Sequence, residues 1–128
     1  MSSTPRLPDA VRISARGREI LIKLKRYTGV PHWNTLCRIA YCYSLSLQTV
    51  PAASHEHEDT ALEIEWPTFA GAFRVELAAI TQFNASIEDV DASELGKYVR
   101  NHVERGLSAI QNTRSLSELV TIVLSATN

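Results

Sequence analysis

Six cationic side chains, Arg12, Arg16, Arg18, Lys23, Lys25 and Arg26, fall within fifteen consecutive residues, and Glu19 is the one acid among them. A solvated helix face usually intersperses Lys and Arg with Glu so that i,i+4 pairs can form. Here most of the positive charge lacks such a partner, and like charges on one surface repel. They gain most by facing phosphates, whose counterions they release on contact. The chemistry on offer is therefore an electrostatic grip on a nucleic-acid backbone that weakens steeply with salt. Base reading has a narrower foothold, because only Arg12 and Ser14 should point outward from one face of a short strand.

Other chemistry is poorly supported. The run His55-Glu56-His57-Glu58-Asp59 holds metal-ligand residue types, but no second Cys/His set completes a site, and a solvated acidic loop is the better reading. His32 and His102 are isolated in sequence. His102 borders an apolar stripe, where phosphate binding, base chemistry or a core-edge hydrogen bond are all open and the last is favoured. The glycines at 17, 29, 71, 96 and 106 are scattered singly, so there is no Gly-rich phosphate loop. Motifs of the G-x-S-x-G, H-E-x-x-H and C-x-x-C types are absent. The carboxylates between residues 56 and 94 could build a divalent-metal nuclease, but acids facing DNA repel it unless a cation intervenes. No catalytic residue, metal site or cofactor is expected, and the chain is not read as an enzyme.

These residues sit in a chain of 128, with 45% apolar and 21% charged residues, which is one domain's worth of protein around a single core. The net charge of −1 hides a segregation. Residues 1–49 hold eight Lys/Arg against two acids, a net of +6, residues 50–96 come to −9, and residues 97–128 to +2. A basic surface that meets an anion, opposite an acidic one that does not, fits this pattern. No apolar run approaches the roughly 18 residues of a membrane span. The polar, proline-broken start from Met1 to Pro8 argues against secretion. Cys37 and Cys42, about 140° apart around a helix, should not bridge. They suit a reducing cytoplasm as small buried hydrophobes.

The elements that must position the cations follow from periodicity. Residues 1–9 read as a loose arm, and Val11-Arg12-Ile13-Ser14 alternates as a strand. Ser14 caps a helix to Thr28 that buries Gly17, Ile20, Leu21, Leu24 and Tyr27. Arg16, Lys23 and Arg26 flank one side of that stripe, Arg18 and Lys25 the other. Gly29 stops the helix and Pro31 opens the next. That second helix, to Leu47, has Leu36, Ile39, Ala40, Tyr43 and Leu47 on one side, Cys42 and Leu45 on the other, and Arg38 as its only charge. It should be central to the core or to a subunit interface. The order matches a ribbon-helix-helix unit, whose strand normally pairs across a dimer.

Acidic linkers are expected at 50–60 and 85–92, on either side of a strand, Leu62–Trp66, and a third helix from Phe69 to Phe83 that turns Phe69, Phe73, Leu77 and Ile80 inward. Asp91 and Glu94 form a capping box for a fourth helix with the stripe Leu95, Val99, Val103, Gly106 and Ile110. Ser115 and Glu118 repeat it for a last helix carrying Leu119, Val120, Val123 and Leu124. The expected fold class is mainly α with short strands: a ribbon-helix-helix-like N-terminal half, then a strand and three helices, in a single compact domain over residues 1–128.

The segment Thr28-Gly29-Val30-Pro31-His32-Trp33-Asn34-Thr35-Leu36-Cys37-Arg38-Ile39-Ala40 resembles the core of the DndE proteins of bacterial DNA phosphorothioation. The likeness extends through the basic helix and returns at Tyr98-Val99-Arg100-Asn101-His102-Val103-Glu104-Arg105-Gly106-Leu107, covering roughly residues 10–50 and 60–125. It implies a small, mostly helical protein able to form homodimers or homotetramers. It also implies work beside a DndC-like sulfur transferase and a DndD-like SMC-type ATPase, which replace a non-bridging phosphate oxygen with sulfur. The family is linked to double-stranded DNA, nicked duplex in particular, through lysines. Only Lys23, Lys25 and Lys97 are present here, against ten arginines. Arg12, Arg16, Arg18 and Arg26 would therefore share the task, joined by Lys97, Arg100 and Arg105, since arginine grips phosphate in bidentate fashion. The expectation is a non-catalytic DNA-binding subunit in the cytoplasm. An interaction subunit with little DNA binding of its own, a ribbon-helix-helix regulator and a nuclease remain as alternatives.

Overall fold

Strand alternation at the start of the chain produces β1 (Ala10–Ser14), and the partner that satisfies its edge lies in the same chain. β2 (Thr60–Glu65) runs antiparallel to it, setting Val11 opposite Ile64, Arg12 opposite Glu63 and Ile13 opposite Leu62. The ribbon expected to form across a dimer is thus an intrachain ribbon. A pair of strands is marginal alone, and this one packs on helices. The structure is a computed structural model that describes residues 6–52 and 59–125; residues 1–5 of the expected arm and His55 to Glu58 of the metal-ligand run lie outside the described residues.

α1 (Ala15–Thr28) begins where the Ser14 hydroxyl accepts the Gly17 N–H at 3.1 Å and ends at Gly29, whose φ of 76° is the left-handed conformation glycine adopts without strain. It buries Gly17, Ile20, Leu21, Leu24 and Thr28. Thr28 takes the place expected of Tyr27, which stays 39% exposed. α2 (Trp33–Ser46) buries Leu36, Cys37, Ala40, Tyr41 and Ser44. Its inner face is therefore rotated from the expected one: Ile39 and Tyr43 are only partly buried and Leu47 is exposed. Cys37 is a buried hydrophobe as expected, but Cys42 is exposed.

The expected third helix is broken. α3 (Trp66–Ala70) gives way to a 3-10 turn (Gly71–Phe73) before α4 (Arg74–Ile87). Gly71 has φ 56°, and a Cβ there would stand 2.8 Å from a guanidinium nitrogen of Arg38, which donates to the Phe69 carbonyl at 2.8 Å. The break turns Phe69 and Leu77 inward but leaves Phe73 and Ile80 exposed. The expected linker at 85–92 is partly helix. α4 runs to Ile87 and closes with Val90 N–H on Ala85 O and Asp89 N–H on Ser86 O, the paired bonds of a Schellman ending.

After a 3-10 turn (Ala92–Glu94), α5 (Leu95–Ile110) packs against α2, β1, α1 and α4. Its stripe of Leu95, Val99, Val103, Gly106 and Ile110 is buried as expected, and so are Arg100, Asn101, His102 and Glu104. The centre of the fold is therefore α5 rather than the more apolar α2. At Gly106 any Cβ would collide with the Ala40 backbone, so glycine lets the two helices cross in close contact. α6 (Leu116–Ser125) starts at the expected Ser115 cap, with the return bond of the capping box shifted to the preceding residue. The Glu118 N–H donates to the Ser115 hydroxyl at 3.2 Å, while its carboxylate accepts the Arg114 N–H at 2.7 Å. Of its four apolar residues named above, Leu119 is buried, Val123 partly buried, and Val120 and Leu124 exposed. No described helix is long and apolar enough to cross a membrane.

Candidate nucleic-acid interface

Because α1 buries only one stripe, its other positions face solvent. Arg16, Arg18, Lys25 and Arg26 are exposed and Lys23 is half-buried. None of the five forms an ion pair with a described residue. The spacing of seven between Arg16 and Lys23, and between Arg18 and Lys25, stacks the cations two turns apart along the two flanks. Arg12 also points outward, but its guanidinium lies 3.2 Å from the Glu63 carboxylate across the ribbon.

Ser14 does not point outward as expected. The register slips between Ile13 and Ser14, and Ser14 is 1% exposed, its N–H and hydroxyl donating to the Glu104 carboxylate at 2.7 and 3.0 Å. Gly17 makes room for this contact, since a Cβ there would stand 2.6 Å from Ile13 and 3.1 Å from both Glu104 oxygens. The sequence offered no periodic signal for Glu104, because it stands beside the apolar stripe of α5 as any flanking acid would.

The remaining sequence-predicted cations, Lys97, Arg100 and Arg105, lie on α5 apart from the α1 set. Lys97 is exposed and pairs with Glu94 at 3.4 Å. Arg100 is 9% exposed and reaches the Thr60 hydroxyl at 3.4 Å. Arg105 donates to the Ser44 hydroxyl and carbonyl at 2.8 and 2.7 Å and to the Thr49 hydroxyl and carbonyl at 2.7 and 2.8 Å. It thereby ties the segment that follows α2 back to the helix's last turn.

The Ser44 hydroxyl that Arg105 supports is also 2.8 Å from His102 Nδ1. A hydroxyl oxygen has two lone pairs and one proton, so Ser44 can accept from Arg105 and share a hydrogen bond with His102 Nδ1 at the same time. Burial, with the Arg105 charge adding to it, pulls the His102 pKa down to about 4. His102 is a core-edge histidine, 2% exposed, as favoured. Nearby, the Tyr98 hydroxyl donates to the Glu88 carboxylate. Among the described residues, no three His, Cys, Asp or Glu converge as a metal ion would require.

Comparison with known proteins bears on the family and the fold. A family model described as "DNA sulphur modification protein DndE" matches residues 10–118. No curated protein matches. Among solved structures, the crystal structure of DndE from Escherichia coli B7A, described as involved in DNA phosphorothioation modification, superposes with a TM-score of 0.67 at 24% identity, over 84% of this chain and all of that one. At that identity the superposition speaks for the fold, and the family match over most of the chain speaks for kinship. The chain belongs to the DndE family, and membership implies involvement in DNA sulphur modification.

Proposed function

We propose that this chain is a non-catalytic, DNA-binding subunit of a cytoplasmic DNA phosphorothioation assembly. Duplex DNA lies along α1, with Arg16, Arg18, Lys23, Lys25 and Arg26 on its phosphates and Arg12 at the edge. Sulfur transfer to the phosphate is the work of DndC-like and DndD-like partners, and the chain acts as a homodimer or homotetramer. The observation that carries the reading is the row of α1 cations that no described acid neutralises. Such a row is costly to hold together in water and is stabilised by a polyanion.

A second reading, a subunit that chiefly binds proteins, draws on one other surface. Phe73 and, on α4, Ile80, Phe83 and Ile87 recur at near-heptad spacing and are 39–68% exposed. A regulator built on a dimeric ribbon has less support, because β1 already has its partner within the chain.

Charge reversal separates the readings. In the Arg16→Glu, Lys23→Glu, Arg26→Glu triple variant, affinity for intact and nicked duplex should fall on the order of 100-fold, with the salt slope reduced by about 3. Complex assembly should persist. Unchanged DNA affinity with assembly lost would overturn the first reading in favour of the second.

A further inference from the structure

One flank of α1 borders a groove whose lining does more than attract phosphate. Arg16, Glu19, Lys23, Arg26 and Tyr27 line it from α1, and Gln111 faces them from the end of α5. Its volume of about 410 Å³ falls within the range of small-molecule sites, about 300–1,000 Å³. The groove is mixed: beside the apolar Ile20 and Ile22, three cations stand against the single acid Glu19, with an exposed aromatic ring and a side-chain amide. Arg114 lies 5.4 Å over the Tyr27 ring, a cation–π contact that holds the ring in place.

A second observation comes from the adjoining chamber of about 40 Å³, which shares Lys23, Tyr27 and Gln111 with the groove and is completed by Asn112, Thr113 and Arg114. Thr113 is 2% exposed, and its hydroxyl has no hydrogen-bond partner among the described residues. A buried hydroxyl without a partner is costly, and here it belongs to a residue lining a chamber beside the cationic groove.

We propose that the groove is a nucleotide subsite, taking one unpaired nucleotide of the strand held along α1. The base stacks on Tyr27, the phosphate meets Arg16, Lys23 and Arg26, and Gln111 supplies a hydrogen bond to a polar edge of the nucleotide. Stacking on an aromatic ring accepts any base, so the subsite selects for an unpaired nucleotide and not for sequence. The assignment rests on the backbone grip proposed above, which supplies the strand.

The test uses the full chain and fluorescein-labelled duplexes of one sequence, either fully paired or with a single-nucleotide bulge, read by anisotropy, together with a calorimetric titration of free deoxyadenosine monophosphate. The expected result is a preference for the bulged duplex on the order of tenfold. Tyr27→Ala should abolish that preference and leave affinity for paired duplex unchanged. Equal binding of the two duplexes by the wild type, or a preference that survives Tyr27→Ala, overturns the subsite and leaves the grip standing. Binding of the free mononucleotide with no preference for the bulge overturns its assignment to the strand. Failure to bind paired duplex, with the bulge still bound through Tyr27, overturns the grip and leaves the subsite.

Discussion

α1 and α5 both carry basic side chains, and the fold puts them to opposite uses. On α1, Arg16, Arg18, Lys25 and Arg26 extend into solvent with no described acid within ion-pair distance. On α5, Arg100 is buried, and Arg105 is bonded to hydroxyls and carbonyls of Ser44 in the last turn of α2 and of Thr49 just beyond it. The two helices lie against each other, so position along the chain does not separate them. What separates them is the number of sides each covers. A helix buried on one stripe leaves its charges in solvent, while one enclosed on several sides must satisfy its own. A basic residue counts toward an interface only where no backbone carbonyl has already claimed it.

The contrast can be broken most severely at the α2–α5 crossing. Gly106→Ala should destabilise the protein by about 3 kcal/mol or more in urea unfolding, because the added methyl meets the Ala40 backbone and not a movable side chain. A loss under 1 kcal/mol would mean that α5 is less tightly enclosed than described. Arg105→Ala is next. Removing a cation that serves the end of α2 should cost about 2 kcal/mol in stability, while DNA affinity of the folded protein stays within about twofold of wild type. Lys25→Ala should do the reverse: no measurable loss of stability, with weaker DNA binding and a salt slope smaller by about 1.

His102 gives the contrast a pH axis. Its pKa is about 4 in the fold against about 6.5 in the unfolded chain, so the unfolded state takes up the proton first as pH falls. The stabilisation is complete above pH 6.5 and shrinks between 6.5 and 4, by about 2 kcal/mol at pH 5. Unfolding midpoints measured from pH 7.5 to 5 should show the slope, and His102→Asn should flatten it. The smallest effect belongs to the ribbon: Arg12→Ala should change stability by less than about 0.5 kcal/mol, since the Arg12–Glu63 pair is more than half exposed.

How far the sequence could be read follows the same division. Ser14 as a cap, Gly29 as a stop, the α5 stripe and the Ser115–Glu118 cap are local signals, and each is found in the fold. The cations of α1 were legible because a one-sided helix shows its open face in its own periodicity. The break at Gly71 was hidden because it depends on Arg38, thirty-three positions earlier in the chain. The centrality of α5 was hidden because its polar residues resemble a wet face until Ser14, Ser44, Thr49 and Thr60 arrive from other elements. Average hydropathy pointed to α2; enclosure was decided by partners that no window along the chain contains.

The missing side chain at Gly17 has a consequence for direction. The first turn of a helix is ordinarily a docking point for anions, because its N–H groups point outward with the positive end of the helix dipole. At α1 this end is already served from inside: Glu104 takes the Ser14 N–H, and the Ser14 hydroxyl takes that of Gly17. A buried carboxylate at this end disfavours a visiting phosphate at the tip, while the cationic flanks stay exposed. Polarity at this helix is thus turned through a right angle: a polyanion held as proposed would meet the rod along its length rather than at its point.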